Sequence, residues 1–165
     1  MTDTTRNDTK SMGARHLATQ MTTPALTRKE LLQRLRLEFP EASHAVGEYE
    51  IEDLWRGGCR LRQRYDKRAL RPGGTLSGAT MMALGDFAMY LAVLSAIGWM
   101  PLAVTTNLTI NFLRKPPARD LIAEARLLKL GKRLAVGEVA IRADGGEEVV
   151  AHLTSTYAIP RTEVK

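Results

Sequence analysis

One cysteine, Cys59, and three histidines, His16, His44 and His152, are the whole supply of thiol and imidazole groups in this 165-residue chain. A lone cysteine cannot close an internal disulfide, so the chain suits a reducing compartment without requiring one. Cys59 follows Gly57-Gly58 with no CxxC partner and reads as a structural thiol. No histidine stands at metal-ligand or triad spacing from the cysteine or a carboxylate, so no metal site is expected. His152 alternates with Val150 and Thr154, as a strand histidine at or near the surface does. A GxSxG elbow, a Walker loop and a GxGxxG turn after a strand are all missing, which removes three common sources of catalytic or phosphate-binding geometry. Aromatic residues make up 5%, and Tyr65 alone lies near the arginine-bearing stretch at 60–64, so a base-stacking platform for nucleic acid has little support. The start, Met1-Thr2-Asp3-Thr4-Thr5-Arg6-Asn7-Asp8, lacks the apolar run of a secretory leader, and a cytoplasmic location is expected.

What is present is the composition of a single soluble domain, 44% apolar and 25% charged, long enough to bury a core. The balance of 24 basic to 18 acidic residues gives a net charge of +6 and a pI near 9.8, which suits an anionic partner such as nucleic acid, an anionic surface or a phosphate-bearing molecule. Residues 1–24 are polar and without apolar periodicity, the pattern of a loose arm. Residues 25–160 are expected to form one domain and 161–165 a tail.

Within that domain, Thr27-x-x-Glu30 is a capping box opening a helix with Leu31, Leu32, Leu35 and Leu37, which Pro40 stops. Glu48 to Trp55 and Cys59 to Tyr65 read as a hairpin turning at Arg56-Gly57-Gly58, with Arg60, Arg62 and Arg64 along one solvated face. In the next strand candidate, Val104, Thr106, Leu108, Ile110 and Phe112 alternate with Thr105, Asn107, Thr109 and Asn111, so the two sets are expected on opposite faces. Strands at Leu121 to Leu130, Leu134 to Arg142 and Glu147 to Ile159 follow, joined by short turns that force antiparallel neighbours. Periodicity therefore predicts an α+β domain: a strand pair, a long helix, then a four-strand antiparallel meander.

The long helix carries the most information. Between Pro72 and Leu113 the only charged side chain is Asp86, set in the run Thr80-Met81-Met82-Ala83-Leu84-Gly85-Asp86-Phe87-Ala88-Met89-Tyr90-Leu91. A helix apolar all round is a core helix, and a carboxylate placed there loses hydration at a cost of several kcal/mol unless partners replace the water. The uncharged run from Phe87 to Val104 is interrupted by Ser95, Gly98 and Pro101, so no membrane span is expected. Before the helix stands Gly73-Gly74-Thr75-Leu76-Ser77-Gly78-Ala79, whose glycines admit close approach and whose N–H groups, unpaired at a helix start, favour negative charge.

Gly74-Thr75-Leu76-Ser77-Gly78 with Asp86 nine residues after Ser77 resembles the signature of hot-dog-fold acyl-CoA thioesterases of the phenylacetate-pathway (PaaI) type. The similarity runs on through Val104 to Arg114 and Asp120 to Ala135, and spans roughly Gly47 to Tyr157. It implies a curved antiparallel sheet wrapped round one helix, a homodimer or homotetramer, an acyl-CoA substrate and no cofactor. It implies Asp86 as general base or nucleophile, the N–H groups of Gly78 and Ala79 as oxyanion donors, and a site completed across a dimer interface. Thr105 stands where the family's hydroxyl near the acid is usually Ser, and Arg71 where relatives often have Asn. Ser77 replaces the family's usual His. Gly74 lies in the substrate loop, and Arg114, Lys115, Lys132 and Arg133 stand at turns where such proteins meet coenzyme A phosphates. Hot-dog dehydratases and hydratases need a His that this helix region lacks. Two other readings remain beside thioester hydrolysis: an acyl-CoA-binding module without turnover, and a basic nucleic-acid-binding domain.

Overall fold

The computed structural model describes residues 23–161, so the expected arm, apart from Thr23 and Pro24, and the tail beyond Arg161 lie outside the described residues. Helix α1, Arg28–Glu38, opens on the predicted capping box: the Thr27 hydroxyl accepts from the Glu30 N–H, and the Glu30 carboxylate accepts from the Thr27 N–H at 2.8 Å. Leu31 and Leu35, four apart, are buried, while Leu37 is turned outward at 73% exposure. A short helix α2, Ala42–Val46, leads into strands β1, Tyr49–Trp55, and β2, Gly58–Gln63, the expected hairpin. After a 3-10 turn at Lys67–Ala69, strands β3, Leu70–Arg71, and β4, Thr75–Leu76, close a miniature hairpin round Gly73 and Gly74, both at positive φ. Helix α3, Gly78–Ile97, and strands β5, Val104–Phe112, β6, Leu121–Leu130, β7, Leu134–Ala143, and β8, Val149–Ala158, complete the elements of the described residues.

The six long strands form one antiparallel sheet in the order β1-β2-β6-β7-β8-β5. This corrects the expected four-strand meander. Only β6, β7 and β8 follow one another in space; β5 pairs with β8, and β6 pairs with β2. The link from Leu113 to Asp120 contains Pro116 and Pro117 and crosses the sheet instead of turning back. It leaves β5 as an edge strand.

Helix α3 lies across the concave face of this sheet, with a continuous run from Phe87 to Ala96 buried. Among the described residues it is the one helix long and apolar enough to cross a membrane, yet 72% of its most apolar window is buried inside the domain, as befits a core helix. Its approach is so close that a Cβ on Gly85 would lie 1.9 Å from a Leu153 methyl, and one on Gly137 of β7 would lie 2.6 Å from Met89. Glycine at these two points lets the helix sit on the sheet. Ser95 satisfies its buried hydroxyl by donating to Ala92 O at 2.7 Å and accepting from the Gly57 N–H at 2.9 Å, which ties α3 to the β1–β2 turn.

The convex face is ionic over β1, β2 and β6. Arg60 and Arg62 both bind Glu52, Arg62 reaches Asp120 and Asp144, and Arg64 bridges Glu50 and Asp120. The expected outer arginine face is there, and each guanidinium on it has an acidic partner.

Candidate active site

Asp86 lies more than two turns into α3, and two hydroxyls hold one of its oxygens. Thr105 Oγ1 donates to Oδ1 at 2.7 Å. The Tyr157 hydroxyl lies 2.8 Å from the same oxygen and 2.9 Å from the Asp86 backbone carbonyl. Oδ2 has no hydrogen-bond partner among the described residues, and no unpartnered side-chain oxygen is buried there, so Oδ2 faces open space. Among the described residues, no lysine or arginine pairs with this carboxylate.

The geometry of β5 explains how Thr105 gets there. The alternating pattern puts Thr105 on the face opposite Leu108, but the pairing of β5 with β8 shifts between Thr105 and Asn107. Thr106 is the extra residue of a β-bulge, and one inserted residue exchanges the faces on either side of it. Thr105 consequently opposes Tyr157, while Leu108 and Ile110 oppose Ser155 and Leu153. All three β8 partners are buried against the helix side of the sheet. The expected grouping of Val104 and Thr106 with Leu108 is thus corrected by the bulge.

Tyr157 was not singled out by its sequence context. Its signal is the alternation Leu153, Ser155, Tyr157 in β8, which sends a phenol into the core, where the hydroxyl must find a partner. Burial, and then the neighbouring Asp86 charge, push its ionisation upward, so the phenol stays a neutral donor.

The open side of this cluster is a cleft of about 310 Å³ lined by Phe39, Ala42, Phe87, Tyr90, Ala103 and Thr105, among others. Among the described residues, Asp86 is the only charged one in its lining. The chain has few aromatic residues, yet Phe39, Tyr49, Phe87, Tyr90 and Tyr157 form a connected cluster here with centroid separations of 4.9–6.4 Å. Tyr90 donates to Pro101 O at 3.2 Å, and burial followed by the Glu38 charge pushes its hydroxyl up to about 12.

The other predicted residues divide between the two ends of the domain. Ser77 is the N-cap of α3: its Oγ accepts from the Thr80 N–H at 3.1 Å, a role that Ser fills well and that accounts for a small hydroxyl at this position. The N–H groups of Gly78 and Ala79 have no acceptor among the described residues. They lie seven or eight residues before Asp86, roughly 12 Å along the helix at 1.5 Å per residue, so one chain does not bring both to one carbonyl. The Phe112 ring lies against Gly78, where an added Cβ would approach it to 3.0 Å. Gly74, at φ +71°, shapes the miniature hairpin, with Arg71 exposed beside it. Arg114 is held by Glu148 at 3.1 Å and by the Val149 carbonyl, with Lys115 exposed next to it. Lys132 and Arg133 sit at the β6–β7 turn, at the Asp86 end of the sheet, where the Ile159 N–H donates to the Arg133 carbonyl. His152 lies on the convex face, 3.1 Å from Glu138, away from the cleft.

Comparison with known proteins agrees with this geometry. The model of the thioesterase superfamily matches residues 73–150. A solved structure of a candidate thioesterase from Silicibacter sp. is 42% identical, with a TM-score of 0.75 over 86% of this chain and 97% of that one. A candidate esterase of Saccharolobus solfataricus is 30% identical over 84% of this chain and 89% of its own. A hypothetical thioesterase of Streptococcus pneumoniae, solved with coenzyme A, shares the fold at 24% identity and a TM-score of 0.69, over 76% of this chain and 96% of that one. The chain belongs to the thioesterase superfamily, and its fold is the hot dog: one long helix wrapped in one antiparallel sheet.

Proposed function

We propose that this protein hydrolyses the thioester of an acyl- or aryl-coenzyme A of the phenylacetate-pathway type, with Asp86 as the reacting carboxylate. The observation that carries this reading is Asp86 Oδ2: unpaired, accessible, and backed by an Oδ1 that two hydroxyls hold in place. A carboxylate with one oxygen anchored and the other free suits a group that either takes a proton from water or attacks the carbonyl itself. A thiolate leaves readily, so one such carboxylate and one oxyanion site suffice. The apolar cleft beside Asp86 suits an uncharged acyl or aryl group. The coenzyme A bound to the pneumococcal protein of the same fold supports the choice of thioester.

The oxyanion donors in this proposal are the N–H groups of Gly78 and Ala79 of a second copy. Strand β5 begins at the Asp86 end, by Thr105, and finishes against Gly78, by Phe112. It is an uncharged edge, and edges of this kind invite pairing. Antiparallel pairing of two β5 strands about a two-fold axis sets the start of one against the end of the other. Each Asp86 would then face its partner's glycine loop, and Arg71, Arg114 and Lys115 of one copy would approach Lys132 and Arg133 of the other, where the phosphates of coenzyme A need cations.

Free-thiol release over a panel of aryl, short-chain and long-chain acyl-coenzyme A substrates tests the proposal, with turnover expected on at least one class. Tight binding with no turnover on any of them would favour the acyl-CoA-binding module instead.

A further inference from the structure

The end of the domain that carries the β6–β7 turn combines exposed apolar side chains with free cations. Every residue from Leu128 to Leu134 is exposed, and the segment reads Leu-Lys-Leu-Gly-Lys-Arg-Leu. Leu128, Leu130 and Leu134 are 55%, 41% and 51% exposed. A shift in the β6–β7 register between Leu127 and Lys129 marks Leu128 as the bulged residue. Leu134 lies in one cross-strand row with Ala158 and Val104, and Leu102, 77% exposed, comes two residues before Val104 in the chain. The β1–β2 turn joins the same end, because the Leu127 N–H donates to the Gly57 carbonyl at 2.7 Å.

The charged side chains of the segments that build this end are all basic. Arg56, Lys129, Lys132, Arg133 and Arg161 make no ion pair among the described residues. The segments 55–58, 97–105, 127–137 and 157–161, which build this end, contain no Asp or Glu, and the acids that touch them, Glu38 at the Trp99 indole and Asp86 at Thr105, are each held by a hydrogen bond. This contrasts with the ionic convex face, where every arginine from Arg60 to Arg64 has an acidic partner. Leucines alone would fit a contact between copies, and cations alone would fit any polyanion. Together, with Lys132 and Arg133 on the turn and Leu128, Leu130 and Leu134 exposed on the strand ends that flank it, they match the interface of a bilayer: acyl chains for the leucines and anionic headgroups for the cations. The cleft beside Asp86 takes part of its lining from Pro101, Ala103 and Val104, so it opens beside this end.

We infer that the β6–β7 turn is a docking tip for an anionic lipid surface, with Leu128, Leu130 and Leu134 entering the headgroup region and Lys129, Lys132 and Arg133 pairing with lipid phosphates. The leucines separate this role from any part the cations play in holding coenzyme A, since they cannot bind a phosphate.

The test is co-sedimentation of the full chain with vesicles of phosphatidylcholine alone and of phosphatidylcholine carrying about a third phosphatidylglycerol. Binding is expected to the anionic vesicles only and to weaken with salt. Joint replacement Leu128→Ser, Leu130→Ser and Leu134→Ser should lower the partition coefficient at least about tenfold at unchanged melting temperature. Leu128→Trp, a single change at an exposed bulge, should show a blue-shifted emission on adding the anionic vesicles. No sedimentation of the parent with anionic vesicles at low salt would overturn the inference. So would undiminished binding by the triple-serine variant or an unshifted Leu128→Trp emission. A fall in molar mass of the triple-serine variant by light scattering would assign the tip to contacts between copies and overturn it as well.

Discussion

Three carboxylates on the convex face of the sheet and one, Asp86, on the helix across its concave face differ in their neighbours, and those neighbours account for the difference between them. On the convex face Glu52, Asp120 and Asp144 are surrounded by Arg60, Arg62 and Arg64. Partial burial works against the charge of Glu52, but hydrogen bonds from Arg62 and Arg60 more than offset it and hold the carboxyl below its ordinary range. Asp120 is likewise opposed by burial and lowered on balance by the Tyr65 N–H with Arg64 and Arg62, while Arg62 lowers Asp144 directly. On the concave face Asp86 has hydroxyl donors on one oxygen and, among the described residues, no partner on the other. Acids paired with arginines hold a surface together and are weakened as bases. An acid anchored at one oxygen and open at the other costs stability and retains reactivity.

Replacing one acid from each face is the sharpest way to break the comparison. Asp86→Asn keeps size and hydrogen bonding while removing the basic oxygen, so kcat should fall at least about a hundredfold, within the range of general-base contributions, at equal or higher melting temperature. Glu52→Gln should do the reverse, leaving kcat unchanged and lowering the melting temperature by about 2–4 °C, the shift that ~1 kcal/mol produces at this chain length. Similar effects of the two on kcat would erase the distinction.

A smaller effect is expected from the hydroxyls. Thr105→Val and Tyr157→Phe each free Asp86 to rotate, and each should lower kcat about tenfold with little change in KM, since lost orientation is felt mainly in the reacting geometry. A change confined to KM would move these residues from orienting Asp86 to binding substrate.

The cations at the basic turn should matter less again. Lys132→Ala with Arg133→Ala should raise KM for acyl-coenzyme A more than it lowers kcat, because phosphate contacts are made equally in ground and transition states. An unchanged KM would remove both from the substrate site.

The faces should also differ in the pH dependence of stability. Glu52, Asp120 and Asp144 have folded values below their ordinary 4.5, 3.8 and 3.8, so their contribution is present above those values and lost as pH falls through the folded ones. Tyr157 is raised above its ordinary 10.0, so its contribution is complete below pH 10.0 and declines above it. Melting temperatures across pH should therefore drop at the acid end in the parent and drop less there in Arg62→Leu, with the alkaline decline unchanged by that substitution.

Much of this was legible in the residue order, because local physics determines it. The capping box at Thr27 and Glu30, the hairpin at Gly57-Gly58, the buried helix round Asp86 and the short turns between β6, β7 and β8 are set by neighbours a few positions apart. The pairing of β5 with β8 joins Val104 to Ala158, and nothing near Val104 in sequence announces it. The Thr106 bulge depends on that pairing, so the face of Thr105 could not be read from alternation alone. Tyr157 was hidden for the same reason: its partner Asp86 is 71 residues away. Asp86 itself was visible because a lone carboxylate in a long apolar stretch conflicts with its surroundings, and such conflicts collect at functional sites.

The central claim is that Asp86 supplies chemistry and not merely fold or affinity. The direct measurement compares parent and Asp86→Asn on the same preparations, reading thiol release from a turned-over acyl-coenzyme A and the Kd of its non-hydrolysable thioether analogue. The account predicts release reduced at least about a hundredfold with Kd changed by no more than about twofold. Release at the parent's rate, or loss of analogue binding in step with release, would contradict it.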